Sequence, residues 1–355
     1  MKKQKPSISD VAEAAGVSIA TVSHVINDTR YVSEEVTQKV KTAIADLGYM
    51  PSSLARGLAG KETRIIGVIL SDISNPYFTS IYRGLESVFS AEGYELILAN
   101  TGEQDSNQEL VVRTMLSRQI DGLVIAPTGR ESRMLNHLIA SGIPVVLIDR
   151  DAPVENVSLV DLDNVTAAYQ ATSHLIEDGY HKIGIILGLP DVCTTQTRLE
   201  GYKMALESFN IPFREEYVVN GQSRIEWGYQ SIKRLMQLDE PPNAFFTINN
   251  LMTTGALYAF RELELSCPRD VGLVGFDDHD WADIVTPPLT VIRQPTFEMG
   301  VKAAEILINN TKGLKISHER LKGKLIVRGS CSEKCQHQYV GKTPGILTSL
   351  DLKDA

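Results

Sequence analysis

From Arg64 onward, apolar runs of strand length alternate with amphipathic stretches, and this alternation constrains the fold more than any other feature of the chain. The strand-like runs are Ile65–Leu70, Glu95–Ala99, Gly122–Ala126, Val145–Asp149, Lys182–Leu187, Ala244–Ile248 and Val271–Phe276. Between most of them lie stretches with apolar residues at helical spacing, such as Ile81–Phe89, Leu110–Leu116 and Leu251–Leu263. A strand followed by a helix, repeated, lays the strands parallel and covers the sheet with helices. There are enough such units for two sheets, so the expected body is α/β with two parallel sheets flanked by helices.

The first 50 residues have a different texture and read as a small all-α unit. Ser7 with Asp10 forms a capping-box pattern that opens a helix running through Ala15, and Gly16 breaks it. Ser18 can cap a second helix reaching Asn27; Ser33 can cap a third, with Val36, Val40, Ile44 and Leu47 as its apolar stripe. Ala12, Gly16 and Val22 stand at the offsets of a helix-turn-helix. The second helix must cross where Ala12 is small, Gly16 supplies the left-handed turn, and Val22 packs between the helices. On the second helix Val22, Val25 and Ile26 point inward, leaving Ile19, Ala20, Ser23, His24 and Asn27 outward. A recognition helix presents its N-terminal residues to base edges in the major groove. Ile19 and Ala20 suit thymine methyls, whereas Ser18, Thr21 and Ser23 suit phosphates, which set position rather than sequence. The expected partner of this face is double-stranded DNA.

The net charge of −9 argues against a nucleic-acid partner until its distribution is considered. Residues 1–61 carry +2 and the remainder −11, which fits a mildly basic end and an acidic body with different partners. The longest apolar runs are strand-length, short of the roughly 20 residues a membrane span needs. A polar segment also stands where a signal peptide would have its apolar stretch, so a cytoplasmic location is expected. Four cysteines are too few and too scattered for a disulfide scaffold. Cys331-x3-Cys335-x-His337 has no standard zinc spacing and no second ligand pair near it in sequence, so neither metal nor cofactor is expected. No phosphate-cradling GxxxxGK, no GxSxG and no HExxH occurs, so no enzymatic activity is expected.

The segments ISDVAEAAGVSIATVSHVIN and YVSEEVTQKVKTAIADLGYMPSSLARGLAGKETRIIGVIL, followed in order by IDGLVIAP, RLEGY, GFDD and PPLTVIRQP, resemble the LacI/GalR family of bacterial repressors over residues 7 to about 330. The resemblance implies a headpiece over 1–50 and a hinge helix or linker over 51–61. It further implies an effector-binding and dimerisation body like periplasmic sugar-binding proteins over 62–330, leaving 331–355 as a flexible tail. The chain would pass between the lobes near 160, 290 and 320. It also implies a homodimer on a pseudo-palindromic operator. In the hinge, Ala55 and Leu58 would reach DNA, with Leu58 as a wedge in the minor groove.

Several polar residues follow strand-like runs in the body: Ser71, Asp72, Asp149, Arg150, Asn249, Asn250, Asp277 and Asp278. Ligands of parallel sheets bind beyond the carboxyl ends of the strands. The resemblance places Asp149, Arg198, Asn249, Asp277 and Gln294 on a small-molecule effector, a sugar or sugar derivative; Phe78, Trp227 and Trp281 are alternative stacking faces, each of which reads as core before ligand contact. Where lactose-type members carry a stacking tryptophan this chain has Ser223, which reads as a helix cap with Glu226 three residues on. The alternative effector is a phosphorylated carrier protein, as in catabolite-control regulators. Glu305 and Asn309 stand where such proteins carry basic side chains, which argues against it. A transport-type sugar receptor would share the body but needs no headpiece. The tail lacks leucine heptads, so the expected state is a dimer.

Overall fold

The structure, a computed structural model, describes residues 6–27, 30–49, 63–129, 132–313 and 315–332. The chain divides into two compact units, one ending at Thr63 and the other beginning at Arg64. In the first, helices α1 (Ile8–Ala15), α2 (Ile19–Asn27) and α3 (Glu34–Leu47) enclose Val11, Ala12, Val22, Val40 and Ala43. Ser7 and Asp10 form the reciprocal capping box, and Gly16 ends α1 in the left-handed conformation at φ 66°. Ser33 occupies the cap position of α3, with no side-chain cap hydrogen bond. The expected hinge, with Ala55 and Leu58, lies outside the described residues.

The second unit contains two six-stranded sheets, one per lobe. The first lobe uses β1 (Ile65–Leu70), β2 (Glu95–Asn100), β3 (Gly122–Ile125), β4 (Val145–Asp149), β5 (Ser158–Leu162) and β11 (His318–Leu321). They lie in the order β11-β5-β4-β3-β1-β2, all parallel. The second lobe uses β6 (Ile183–Leu187), β7 (Val218–Asn220), β8 (Ala244–Thr247), β9 (Gly272–Phe276), β10 (Thr290–Arg293) and β12 (Lys324–Ile326). Their order is β12-β10-β9-β8-β6-β7, with β12 antiparallel to β10 and the rest parallel. The two sheets repeat one another strand for strand, so the end of β4 in one lobe corresponds to the end of β9 in the other. β1, β3, β4, β8 and β9 are buried along their whole length, as parallel strands covered on both faces must be.

The chain leaves the first sheet after β5, returns after β10, and passes back between β11 and β12. The apolar runs do not mark β5, β10 or β11. In β5 the buried Asp161 interrupts the pattern; its carboxylate accepts from Arg320 on neighbouring β11 at 2.8 Å. Helix α8 (Cys193–Ser208) also lacks an apolar stripe, because its buried side includes Thr194, Thr195 and Arg198 alongside Tyr202, Ala205 and Leu206. Cys331, read from the sequence as the start of a tail, is instead buried against the second lobe. Among the described residues no helix is long and apolar enough to cross a membrane.

Candidate functional site

On the headpiece, Ile19 is 50% exposed at the start of α2, with Ser18 and Ala20 exposed beside it. An isoleucine gains nothing for the fold by facing water there, so its side chain is available for an apolar contact. Ser18 accepts from the Thr21 backbone N–H at 3.1 Å, and the two hydroxyls lie 2.9 Å apart. Both hydroxyls, expected on phosphates, therefore also hold the first turn of the helix. Ser23 and His24 are half-buried, and each has a partner. Asn27 ends the helix.

In the body a cleft of about 490 Å³ opens between the lobes, and Phe78, Asp149, Arg198, Asn249, Asp277 and Gln294 all line it. Asp149 and Asp277 occupy the corresponding positions just at and just after the ends of β4 and β9. Both adopt the left-handed backbone conformation, at φ 73° and 74°. A non-glycine residue is strained in that region, so two corresponding instances mark places where the fold holds a carboxylate against local preference.

Asp149 is already well used. Its Oδ1 accepts from the Tyr77 hydroxyl at 2.6 Å and its Oδ2 from Arg150 Nε at 3.0 Å. Arg150 also forks onto Glu103, at 2.8 and 3.2 Å. Burial disfavours the Arg150 cation, but Glu103 and Asp149 outweigh it and hold the group above its ordinary value. Burial also pushes the Tyr77 hydroxyl well up, and the Asp149 charge adds to this, so it stays a neutral donor. Tyr77 and Glu103 are site residues that the sequence reading did not include, and Arg150 stood there only among the polar residues after strand ends. Arg150 shares the strand-end position of Asp149, and Glu103 stands in the loop after β2. That common location beyond strand ends was the available signal.

Arg198 is anchored on two sides: Nε donates to Asn164 Oδ1 at 2.7 Å and Nη1 to the Ile248 carbonyl at 2.6 Å. Its guanidinium lies 3.7 Å from the centre of the Phe276 ring. Burial lowers its pKa, and the charges of Asp277 and Asp149 oppose that shift. Burial likewise raises the pKa of Asp277, opposed by Arg198 and by a 2.6 Å hydrogen bond from Gln294 Nε2. Among the described residues, Arg198 Nη2 and Asp277 Oδ2 have no hydrogen-bond partner, so a donor and an acceptor remain for a ligand.

Asn249 is the N-cap of helix α10 (Asn250–Glu262), where its Oδ1 accepts from Met252 N at 2.9 Å and leaves its amide group as the polar end. Asn250, the first residue of that helix, exchanges amide hydrogen bonds with Asn75 of the other lobe, at 2.6 and 3.2 Å. The expected cap at Ser223 is displaced. Ser223 has φ 54°, and Arg224 stands at the N-cap of helix α9 (Ile225–Leu235). Phe78 is 4% exposed and belongs as much to the core as to the cleft. Trp227 is 53% exposed at the cleft margin, while Trp281 stacks on His279 outside it.

Two family models match the chain. One describes bacterial regulatory proteins of the lacI family and covers residues 7–52; the other describes periplasmic binding proteins and the sugar-binding domain of the LacI family and covers residues 63–324. The ribose operon repressor of Escherichia coli K12 is 35% identical over 318 residues, spanning 89% of this chain and 96% of that protein. The repressor PurR of Haemophilus influenzae is 36% identical over 303 residues, spanning 85% and 90%. Among solved structures, the regulator CelR in complex with cellobiose superposes with a TM-score of 0.71 at 30% identity, covering 92% of this chain and 99% of that one.

Proposed function

This chain belongs to the LacI family of bacterial regulatory proteins, and from that premise we propose that it is a repressor whose hold on DNA is set by a small sugar or sugar derivative bound between its two lobes. It is a DNA-binding transcriptional regulator with a helix-turn-helix headpiece and an α/β body. The observation that carries the effector reading is the free pair left by Arg198 and Asp277. A planar donor beside a carboxylate acceptor matches vicinal hydroxyls, each of which both donates and accepts. Relatives whose names specify a ribose operon, and a neighbour holding cellobiose, support the same class.

In this reading residues 1–50 are the DNA-reading headpiece, 51–61 the hinge and 62–330 the effector domain. The protein acts as a homodimer, each headpiece taking one half of a pseudo-palindromic operator. Ile19 and Ala20 read bases, Ser18, Thr21 and Ser23 contact phosphates, and His24, Asn27, Ala55 and Leu58 complete the DNA surface.

The test is calorimetric titration of the full chain with a panel of pentoses, hexoses and disaccharides and with a purine base, paired with operator titrations in the presence of each binder. One sugar should bind and change operator affinity by roughly 5–150-fold, the usual range of allosteric coupling. Binding of the purine alone, or of no small molecule, would overturn the sugar reading.

A further inference from the structure

His174, Asp178 and Cys331 come together at a corner of the second lobe, and the sugar cleft makes no use of them. His174 and Asp178 stand one turn apart at the end of helix α7 (Asn164–Glu177), and Cys331 follows β12. His174 Nε2 lies 3.0 Å from Cys331 Sγ and 3.4 Å from Asp178 Oδ2, and the three ligand atoms all fall within 4.8 Å of one another. Cys331 is 1% exposed. The imidazole and carboxylate side chains are 13% and 19% exposed, so the corner is partly open to solvent.

From this juxtaposition we infer that the corner is a binding site for a zinc-like divalent cation, held by an imidazole, a carboxylate and a thiolate. One nitrogen, one oxygen and one sulfur donor are the ligand types zinc prefers. Tetrahedral coordination at ordinary zinc bond lengths sets nitrogen and oxygen about 3.4 Å apart and nitrogen and sulfur about 3.6 Å apart. The first separation is already in place, and the second needs Cys331 Sγ to retreat by about half an ångström, within reach of a side-chain rotation.

The surroundings suit a thiolate. Thr290 Oγ1 lies 3.1 Å from Cys331 Sγ and accepts from the Arg328 backbone N–H at 2.9 Å. While the sulfur is a thiol it donates to that hydroxyl; once a cation displaces the thiol proton to solvent, the hydroxyl can turn and donate to the sulfur. Such outer partners orient and tune first ligands. Three protein ligands leave a fourth position. Water takes that position, and the cation staples the segment that follows β12 to the end of helix α7, within one lobe.

The experiment uses the full-length chain, stripped of metal and reduced, titrated with Zn²⁺ alone and with Co²⁺ as a spectroscopic stand-in. One cobalt per chain should give a thiolate-to-metal charge-transfer band and the strong visible bands of tetrahedral geometry. Zn²⁺ should displace it and raise the thermal midpoint. Cys331→Ser should abolish the charge-transfer band. Because Cys331 is buried and its substitution can disturb packing, Asp178→Asn at the more open ligand gives a second reading. It should keep the fold by circular dichroism and weaken Co²⁺ binding at least about tenfold, as losses around metal ligands do. A double variant, Cys335→Ser with His337→Ala, should keep the Cys331-dependent band. No charge-transfer band at stoichiometric metal would overturn the site. So would a band that survives Cys331→Ser, or one unchanged in affinity by Asp178→Asn.

Discussion

Asp277 and Asp278 are adjacent, both at the end of β9, and the fold employs them in opposite ways. Asp278 is enclosed: Arg328 forks onto it at 2.8 and 2.9 Å, with both side chains 5% exposed, and Arg293 adds two further donors at 2.5 and 2.8 Å. Removing one member of a buried pair strands the other charge, at a cost of about 3–5 kcal/mol. Asp278→Ala should therefore lower the unfolding free energy by that amount in urea melts. Asp277 instead faces the cleft with one oxygen unused, and its pKa is raised by burial above 3.8. For a carboxyl group raised in the folded state, the native form holds the proton more tightly than the unfolded form. Stability therefore falls as pH rises from 3.8 through the raised value and stays at the lower level above it. Asp277→Asn removes that titration. Its stability advantage over wild type should be greatest at neutral pH and shrink on acidification toward 3.8. It should also weaken sugar binding by about tenfold or more, the worth of a hydrogen bond to a charged group. An advantage that does not change with pH would show that Asp277 is not held in the raised state.

At the scale of elements, helices α7 and α8 meet through a glycine. A Cβ on Gly201 would lie 2.2 Å from the Val165 carbonyl oxygen, a contact no rotamer change can relieve. The close approach also sets the bond between Arg198 on α8 and Asn164 at the start of α7. Gly201→Ala should cost at least about 1–3 kcal/mol, since forced overpacking shifts backbone. It should also reduce sugar affinity, although residue 201 does not line the cleft. A variant that loses stability but binds sugar normally would uncouple the helix contact from the Arg198 position. The helix-turn-helix unit shows how local chemistry fixes an element: capping box, left-handed glycine and a small residue at the crossing all act within a few residues of where they stand in sequence.

For the molecule as a whole, the lobes of the body are tied across the cleft by the amide exchange between Asn75 and Asn250. Asn75→Ser keeps a good N-cap for the helix beginning at Pro76 and removes the amide pair. The ligand-free protein should then populate a more open body, seen as a larger radius of gyration by X-ray scattering, and saturating sugar should close it again. An unchanged radius would show that other contacts hold the lobes. Arg198→Ala should remove the effect of the sugar on operator affinity while leaving operator binding without sugar within about threefold of wild type. Such a loss of coupling with DNA binding intact is the signature of a two-site switch. A variant that still responds to sugar would place the ligand elsewhere.

Elements whose causes are local can be read directly from the order of residues. Caps at Ser7 and Asp10, the turn at Gly16, and the apolar runs of β1, β3, β4, β8 and β9 were legible because period and capping act over one or two turns. The cleft was legible only as single polar residues after strand ends, with the resemblance saying which belonged together. Tertiary structure alone decided that Asp149 needs Tyr77 and Arg150. It also decided that Asn75 meets Asn250 across 175 residues and that His174 meets Cys331 across 157. It turned helix α8, without an apolar stripe, into the wall that holds Arg198. The physical reason is that such contacts depend on strand order and lobe crossings, which fix where distant chain ends arrive. No local pattern encodes that arrival, because the stabilisation appears only once the intervening chain has been closed into a loop.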